Sequence, residues 1–425
     1  MSAGGPPGGD LGLRSWSDRA IVGLALMALA SGFGQFGAVA ALGDVAAHFG
    51  RIVHGRTIAD QTGLSLTSLG VGLAVLRLAS LGGLPLAGLA DRYGRRFMLL
   101  VTCTLGLTFT VLASASPGYW WFVVIFALGR PLLSATNAVA QVSAAEETGT
   151  WDRARAIALI AAGYGVGSGL TAVIHGLAKS TLGFRGLFAL AVIPLLAMLF
   201  IRRWLVEPGR FAIAAAAVEH PVPVFGAVAP AYRWRLLTVA SLAFAVAVVT
   251  GPATGFVFLY AQNVLKMSGD QTAAMVAAAA AFGLTGLLLG RFLADRVGRR
   301  PTGALAMLAM ALTGMLAYSG SRLALLVGYE LAVLAAATFA PAAGALANEL
   351  FPTSVRASVA GWNVAASVAG AVTGLVTFGT VGQIGNQFGL AAAVTFLPVV
   401  LATALFALLP ETMGREPEDL WPGTA

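Results

Sequence analysis

Charge is what this sequence has least of. Only 10% of its 425 residues are Asp, Glu, Lys or Arg, against roughly 25% in an ordinary soluble domain, and that deficit excludes a water-soluble fold. Cysteine is scarcer still. Cys103 is the sole one; it lies in an apolar run and has no partner for an intramolecular disulfide, so it reads as a packing residue. The four histidines are scattered, which leaves no cluster of His, Cys and carboxylates for a membrane enzyme or a metal centre. No catalytic residue, metal or cofactor is expected. The glycines of "GVGSGL" and "SLGGLPLAG" follow no strand, so they are not phosphate loops and signal close helix contact instead. Transport driven directly by ATP is therefore disfavoured. The opening "MSAGGPPGGD" is too polar for a signal peptide and is expected to be a disordered cytoplasmic tail over 1–18. No soluble signalling domain of the kind a membrane sensor carries is apparent.

What fills the chain is apolar: 58% of it is hydrophobic, in runs long enough to cross a bilayer as helices. Cutting at charges and Pro/Gly clusters gives twelve spans, at 19–43, 63–90, 96–115, 118–144, 154–178, 185–204, 234–260, 271–294, 301–319, 322–348, 355–380 and 388–409. The stretch from Glu207 to Arg235 divides them six and six. The expected organisation is an N-terminal bundle (19–204), a cytoplasmic linker (205–233), a C-terminal bundle (234–410) and a cytoplasmic tail (411–425). The net charge of +8 does not point to nucleic acid, because the positives sit in short loops rather than on one soluble face. Most of those positive charges fall on one side, which places both termini in the cytoplasm of a cell membrane.

One charged phrase is written twice. "LADRYGRR" at 89–96 returns as "LADRVGRR" at 293–300, each between the second and third span of its half. "EETGTWDRA" and "ELFPTSVRA" echo one another after spans four and ten. Matching loop charges in two six-span halves are the trace of an internally duplicated transporter. Gly94 gives the tight turn its backbone freedom, and Arg92, Arg95 and Arg96 face the anionic leaflet. A positive loop needs only some Arg, but it does not need an Asp at the same place in both halves. The expectation is an ionic latch: Asp91 and Asp295 pair with Arg153 or Arg356 or cap a helix N-terminus, while Glu146 and Glu349 hold the loop arginines, including Arg95, Arg296 and Arg299.

These motifs resemble the major facilitator superfamily over nearly the whole chain. "GLADRYGRR" (88–96) is similar to its hallmark loop, "GRPLLSATNA" (129–138) to its Arg-bearing fourth span, and "ELFPTSVRASVAG" (349–361) to the opening of span eleven in sugar-porter-like and metabolite:proton symporter branches. "VEPGRF" (206–211) and "PETMGRE" (410–416) resemble those branches' phrases after spans six and twelve. The resemblance implies an all-α membrane protein with twelve transmembrane helices in two pseudo-symmetric six-helix bundles. It also implies that the bundles rock about a central cavity and that loop charges lock the cytoplasmic side. Span seven, "GPATGFVFLYAQNVL", lacks the paired glutamines of hexose porters, and span one offers no acid before Asp44. "GYGVGSGL" in span five lacks the proline of drug antiporters, which favours uptake.

Ionisable groups inside a membrane are costly and therefore informative. Arg77 lies near the middle of span two, and the resemblance does not require it. Its five-donor fork suits a carboxylate or phosphate-like group, or else a structural carboxylate or carbonyls. Arg130 in span four is a second candidate. Glu330 in span ten is the acid placed well inside a span, fit either for proton coupling or to neutralise Arg130. His175 near the outer end of span five is the other candidate proton carrier, while Asp44 and His48 read as surface groups. Gln35, Asn137, Gln141, Phe256, Tyr260, Trp362 and Asn363 lie at cavity depth, with helix packing as the plain alternative for each. The leading expectation is a monomeric, proton-coupled symporter of a small organic solute, possible anions included. The alternative is a proton-coupled exporter of drugs or metabolites.

Overall fold

The computed structural model describes residues 14–53, 57–207, 228–416 and 420–421. The expected tail over 1–18 thus lies outside the described residues up to residue 13, as do most of the linker and parts of the C-terminal tail. The described residues are 84% helical and contain no strands. Among the described residues, twelve helices are long and apolar enough to cross a membrane. Spans one to six are Arg19–Ala40, Leu66–Tyr93, Arg95–Ala113, Tyr119–Glu147, Arg155–Ala178 and Thr181–Ile201. Spans seven to twelve are Pro230–Val264, Gly269–Arg296, Arg299–Ala317, Arg322–Glu349, Ser358–Gly385 and Phe388–Leu408. The chain is a multi-pass membrane protein.

Local chemistry sets where these helices start. Asp18 caps span one by accepting from the Ala20 amide, and Ser65 caps span two by accepting from Ser68. Ser268 and Gln271 form a reciprocal capping box on span eight, and Ser321 caps span ten. Each cap satisfies an amide that the helix itself leaves unpaired.

Glycine decides which helices touch. Gly163 and Gly167 of span five lie against the backbone of Ala25 and Leu29 in span one. In the second half Gly370 and Gly374 of span eleven lie in the same way against Phe244 and Val248 of span seven. Small residues let helix backbones approach where lipid supplies no hydrophobic drive between them, and the duplication is visible in this paired use.

The halves meet at the end opposite the copied loops. Gly70 of span two meets Leu375 and Gly379 of span eleven, and Gly176 of span five meets Gly269 of span eight. The Leu66 amide donates to Gln383 Oε1 (2.8 Å) and the Ile58 amide to Asn386 Oδ1 (2.6 Å). Phe36 and Phe258 close edge to face, with centroids 5.9 Å apart. This end is sealed.

Candidate functional site

Span two is a broken helix. Its first segment runs Leu66–Ala79, a 3-10 turn follows at Ser80–Gly82, and a second helix begins at Gly83 ahead of Pro85. Proline cannot continue the hydrogen-bond ladder, so the break has a local cause. Arg77 sits in the last turn of the first segment, where a cation is favourable against free carbonyls. The Ser80 hydroxyl donates to the Arg77 carbonyl and satisfies one of them.

The break rests on span four. An added Cβ at Gly82 would meet Pro131, and one at Gly83 would lie 2.9 Å from Ser134 Cβ. Arg130, next to Pro131, is thereby brought beside Arg77. Both line a narrow cavity of about 20 Å³, with Gln35 of span one, Gly251 and Gly255 of span seven and Leu375 of span eleven. That is room for about one water. Arg130 Nη1 donates to the Gln35 carbonyl (2.6 Å). Gln35 is 4% exposed and is held in turn by Ser31 (2.9 Å) and Ser134 (3.4 Å). No carboxylate pairs with either arginine among the described residues, so two adjacent guanidinium groups face the seam between the halves without a counter-ion.

Asn137 and Gln141 follow Arg130 at seven and eleven residues, on the same face of span four nearer the loop end. Asn137 Oδ1 is buried without a partner among the described residues. The remaining polar and aromatic candidates are placed elsewhere. Phe256 is 0% exposed and stacks on Phe378 at 5.1 Å, and Tyr260 packs between Tyr318 and Phe388. They belong to an aromatic core of the second half. Asn363 lines a separate small cavity with Phe339 and Phe406, and Trp362 is exposed.

Glu330 does not neutralise Arg130. It lies in a different cavity, between spans eight and ten, and neither carboxylate oxygen has a partner among the described residues. His175 is 3% exposed, and its Nε2 lies 2.8 Å from Asp44 Oδ2. Asp44, expected at the surface, is instead half-buried and in hydrogen-bond contact with the His175 ring. The sequence hid this because 131 residues separate the partners. His48 is exposed, as expected, with Arg185 Nη2 3.4 Å away and Phe49 and Phe184 edge-on to its ring.

The copied loops build one device twice. Arg95 bonds Glu146 (2.6 Å) and pairs with Asp91 (3.1 Å); Arg299 bonds Glu349 (3.2 Å) and lies 3.9 Å from Asp295. The expected latch from these aspartates to Arg153 or Arg356 is not formed among the described residues. Each aspartate ends one helix and its arginine starts the next across the tight turn at Gly94 or Gly298, so each pair closes within its own half. Arg356 Nε donates instead to the Phe351 carbonyl (3.0 Å). Arg92 and Arg296 stack over Tyr93 and Phe292.

Two acids absent from the expected set complete the devices, one in each. Glu207 accepts from the Arg95 and Arg96 amides (2.6 and 3.0 Å), capping span three. Glu411 accepts from the Arg299 and Arg300 amides (2.9 and 3.0 Å), capping span nine. Burial pushes the Glu411 carboxyl up, but the amides of Met413, Arg299, Arg300 and Thr412 together outweigh it and hold the group below its usual value. The signal was present in "VEPGRF" and "PETMGRE", which place an acid after span six and after span twelve.

Comparison with known proteins agrees with this architecture. A family model described as "Major Facilitator Superfamily" matches residues 24–293 and 262–421. A curated protein of Cupriavidus pinatubonensis named "Probable 4-methylmuconolactone transporter" is 30% identical over 377 residues, covering 84% of this chain and 85% of that one. The inward open conformation of the xylose transporter XylE from E. coli superposes with a TM-score of 0.73 at 20% identity, covering 94% of this chain and 99% of that one. A bacterial homolog of the human lysosomal transporter Spinster, inward-facing and occupied, gives 0.72 at 16% identity, over 91% and 95%. At these identities the two structures speak for the fold alone.

Proposed function

The chain belongs to the major facilitator superfamily, and on that premise we propose that it takes up a small organic anion by alternating access, driven by protons. The observation that carries this is the Arg77–Arg130 pair at the seam of the two halves. Charges inside a membrane are kept where they have a partner, and these two have no carboxylate among the described residues. Two guanidinium forks present planar donors that match a carboxylate. A cavity with room for about one water is the constricted apex of such a site, to be widened as the halves move. The seal at the end opposite the copied loops corresponds to an inward-facing state if those loops are cytoplasmic, as the bias of positive charge indicates. The muconolactone transporter relationship supports a metabolite as cargo.

For coupling, the His175–Asp44 pair lies beside Gly176, where span five seals against span eight. An imidazole hydrogen-bonded to a carboxylate is able to carry a proton, and here the pair sits where the halves meet. The protein acts as a monomer in this scheme, with both termini cytoplasmic.

The test is uptake of a panel of small carboxylates into proteoliposomes under an imposed pH gradient. Arg77→Ala is expected to lower uptake of the responding solute at least tenfold, with Arg77→Lys recovering part of it. Unchanged uptake in Arg77→Ala sinks the anion site, and uptake indifferent to the gradient sinks the coupling.

A further inference from the structure

Glu330 is 8% exposed, and both its carboxylate oxygens lack a donor among the described residues. It faces a cavity of about 550 Å³ that shares no residue with the arginine cavity. That volume is in the range of small-molecule sites. The wall on span eight is Ala274, Ala278 and Phe282, one turn apart along one stripe, and Leu326 and Leu331 line the span-ten side. The space exists because span eight presents alanines here, whereas further along Gly286 and Gly290 bring the same two helices into backbone contact.

We propose that this cavity binds a hydrophobic organic cation, an ammonium or phosphonium centre with an apolar body, with Glu330 as its counter-ion. The lining is apolar apart from that carboxylate, Gln271 and Arg322. A lone carboxylate in such surroundings is costly. A cation offsets that cost more fully than a neutral donor does, because both charges interact in a low dielectric. The apolar body of the ligand then buries against the alanine and leucine walls. Arg322 does not oppose this. Its Nε and Nη2 donate to the Leu265 and Lys266 carbonyls (2.9 and 3.0 Å), it is exposed, and it lies two turns from Glu330 along span ten. A purely apolar groove of this shape would suit an acyl chain of any lipid; the buried acid is what selects by charge.

Equilibrium binding of tetraphenylphosphonium to the full-length purified protein tests the site, with tetraphenylborate as the probe of equal shape and opposite charge. Wild type is expected to favour the phosphonium, and Glu330→Gln to weaken it at least tenfold. Ala278→Phe fills the cavity without touching the charge and is expected to weaken it as well, which keeps the test decisive if Glu330→Gln does not fold. Arg77→Ala is expected to retain phosphonium binding, so loss of the anion site and loss of this one are separate results. Equal binding of both probes, or phosphonium affinity unaltered in Glu330→Gln and Ala278→Phe, overturns the proposal and leaves a non-selective lipid slot.

Discussion

Gly94 and Gly298 hold their backbones at φ +95° and +121°, and each faces the carboxylate that caps the helix it starts. A Cβ would stand 3.1 Å from Glu207 Oε2 at the first position and 2.6 Å from Glu411 Oε2 at the second. Alanine at either is expected to cost about 1–3 kcal/mol in backbone strain, and Gly298→Ala more than Gly94→Ala because of the closer oxygen. Thermal denaturation in detergent checks the order. Glu411 also carries a pH signature. Its folded carboxyl lies below the usual value of 4.5 and returns to it on unfolding, so its stabilisation is complete above that value and is lost as pH falls through the folded one. The melting temperature is expected to drop on acidification below about pH 4.5, and to drop less steeply in Glu411→Gln. At this scale the arginines were legible, since a charge inside an apolar run stands out by itself. Glu146 and Glu349 were legible as the acids that hold the loop arginines, but the capping acids were not: Glu207 reaches the Arg95 amide across 112 residues.

Among the elements, span two shows how a defect in a helix positions a charge. Its 3-10 break, with Gly82 and Gly83 pressed on Pro131 and Ser134, fixes the distance between Arg77 and Arg130. Gly83→Val is expected to push span two off span four and reduce uptake at least tenfold while the protein still folds, a loss that transport and thermal denaturation measured together will separate from unfolding. The twelve spans themselves were readable to within a few residues, because apolar length and a capping Ser or Asp act locally. Which face of a span looks into the cavity was not. Phe256 and Tyr260 lie at the depth of Arg77, yet span seven turns them into the aromatic core with Phe378 and Phe388. Apolar residues cover every side of such a helix, so periodicity does not mark the inward one.

For the whole molecule, the two halves are held at one end by glycine contacts and by two backbone amides that donate to Gln383 and Asn386. Gln383→Leu leaves the Leu66 amide without its acceptor and is expected to favour opening at that end. Cys103 is 0% exposed, so a Val39→Cys substitution at the central cavity gives a single reactive thiol. Its labelling by a membrane-impermeant maleimide from the sealed side should rise in the Gln383→Leu background, and an unchanged rate would show that the glycine contacts alone hold the seal. The ionic devices behave differently: Arg95 with Asp91 and Glu146, and Arg299 with Asp295 and Glu349, close inside each half and leave Arg153 and Arg356 outside them. By itself the sequence determined the membrane class, the span count, the duplication and the in-span charges, because each is written in composition or in short repeated phrases. Only the tertiary structure decided that Arg77 and Arg130 share one cavity, that Glu330 opens on another, and that Asp44 meets the buried His175. Those pairings depend on how distant helices cross, and the crossing is set by glycine contacts whose partners no local stretch names.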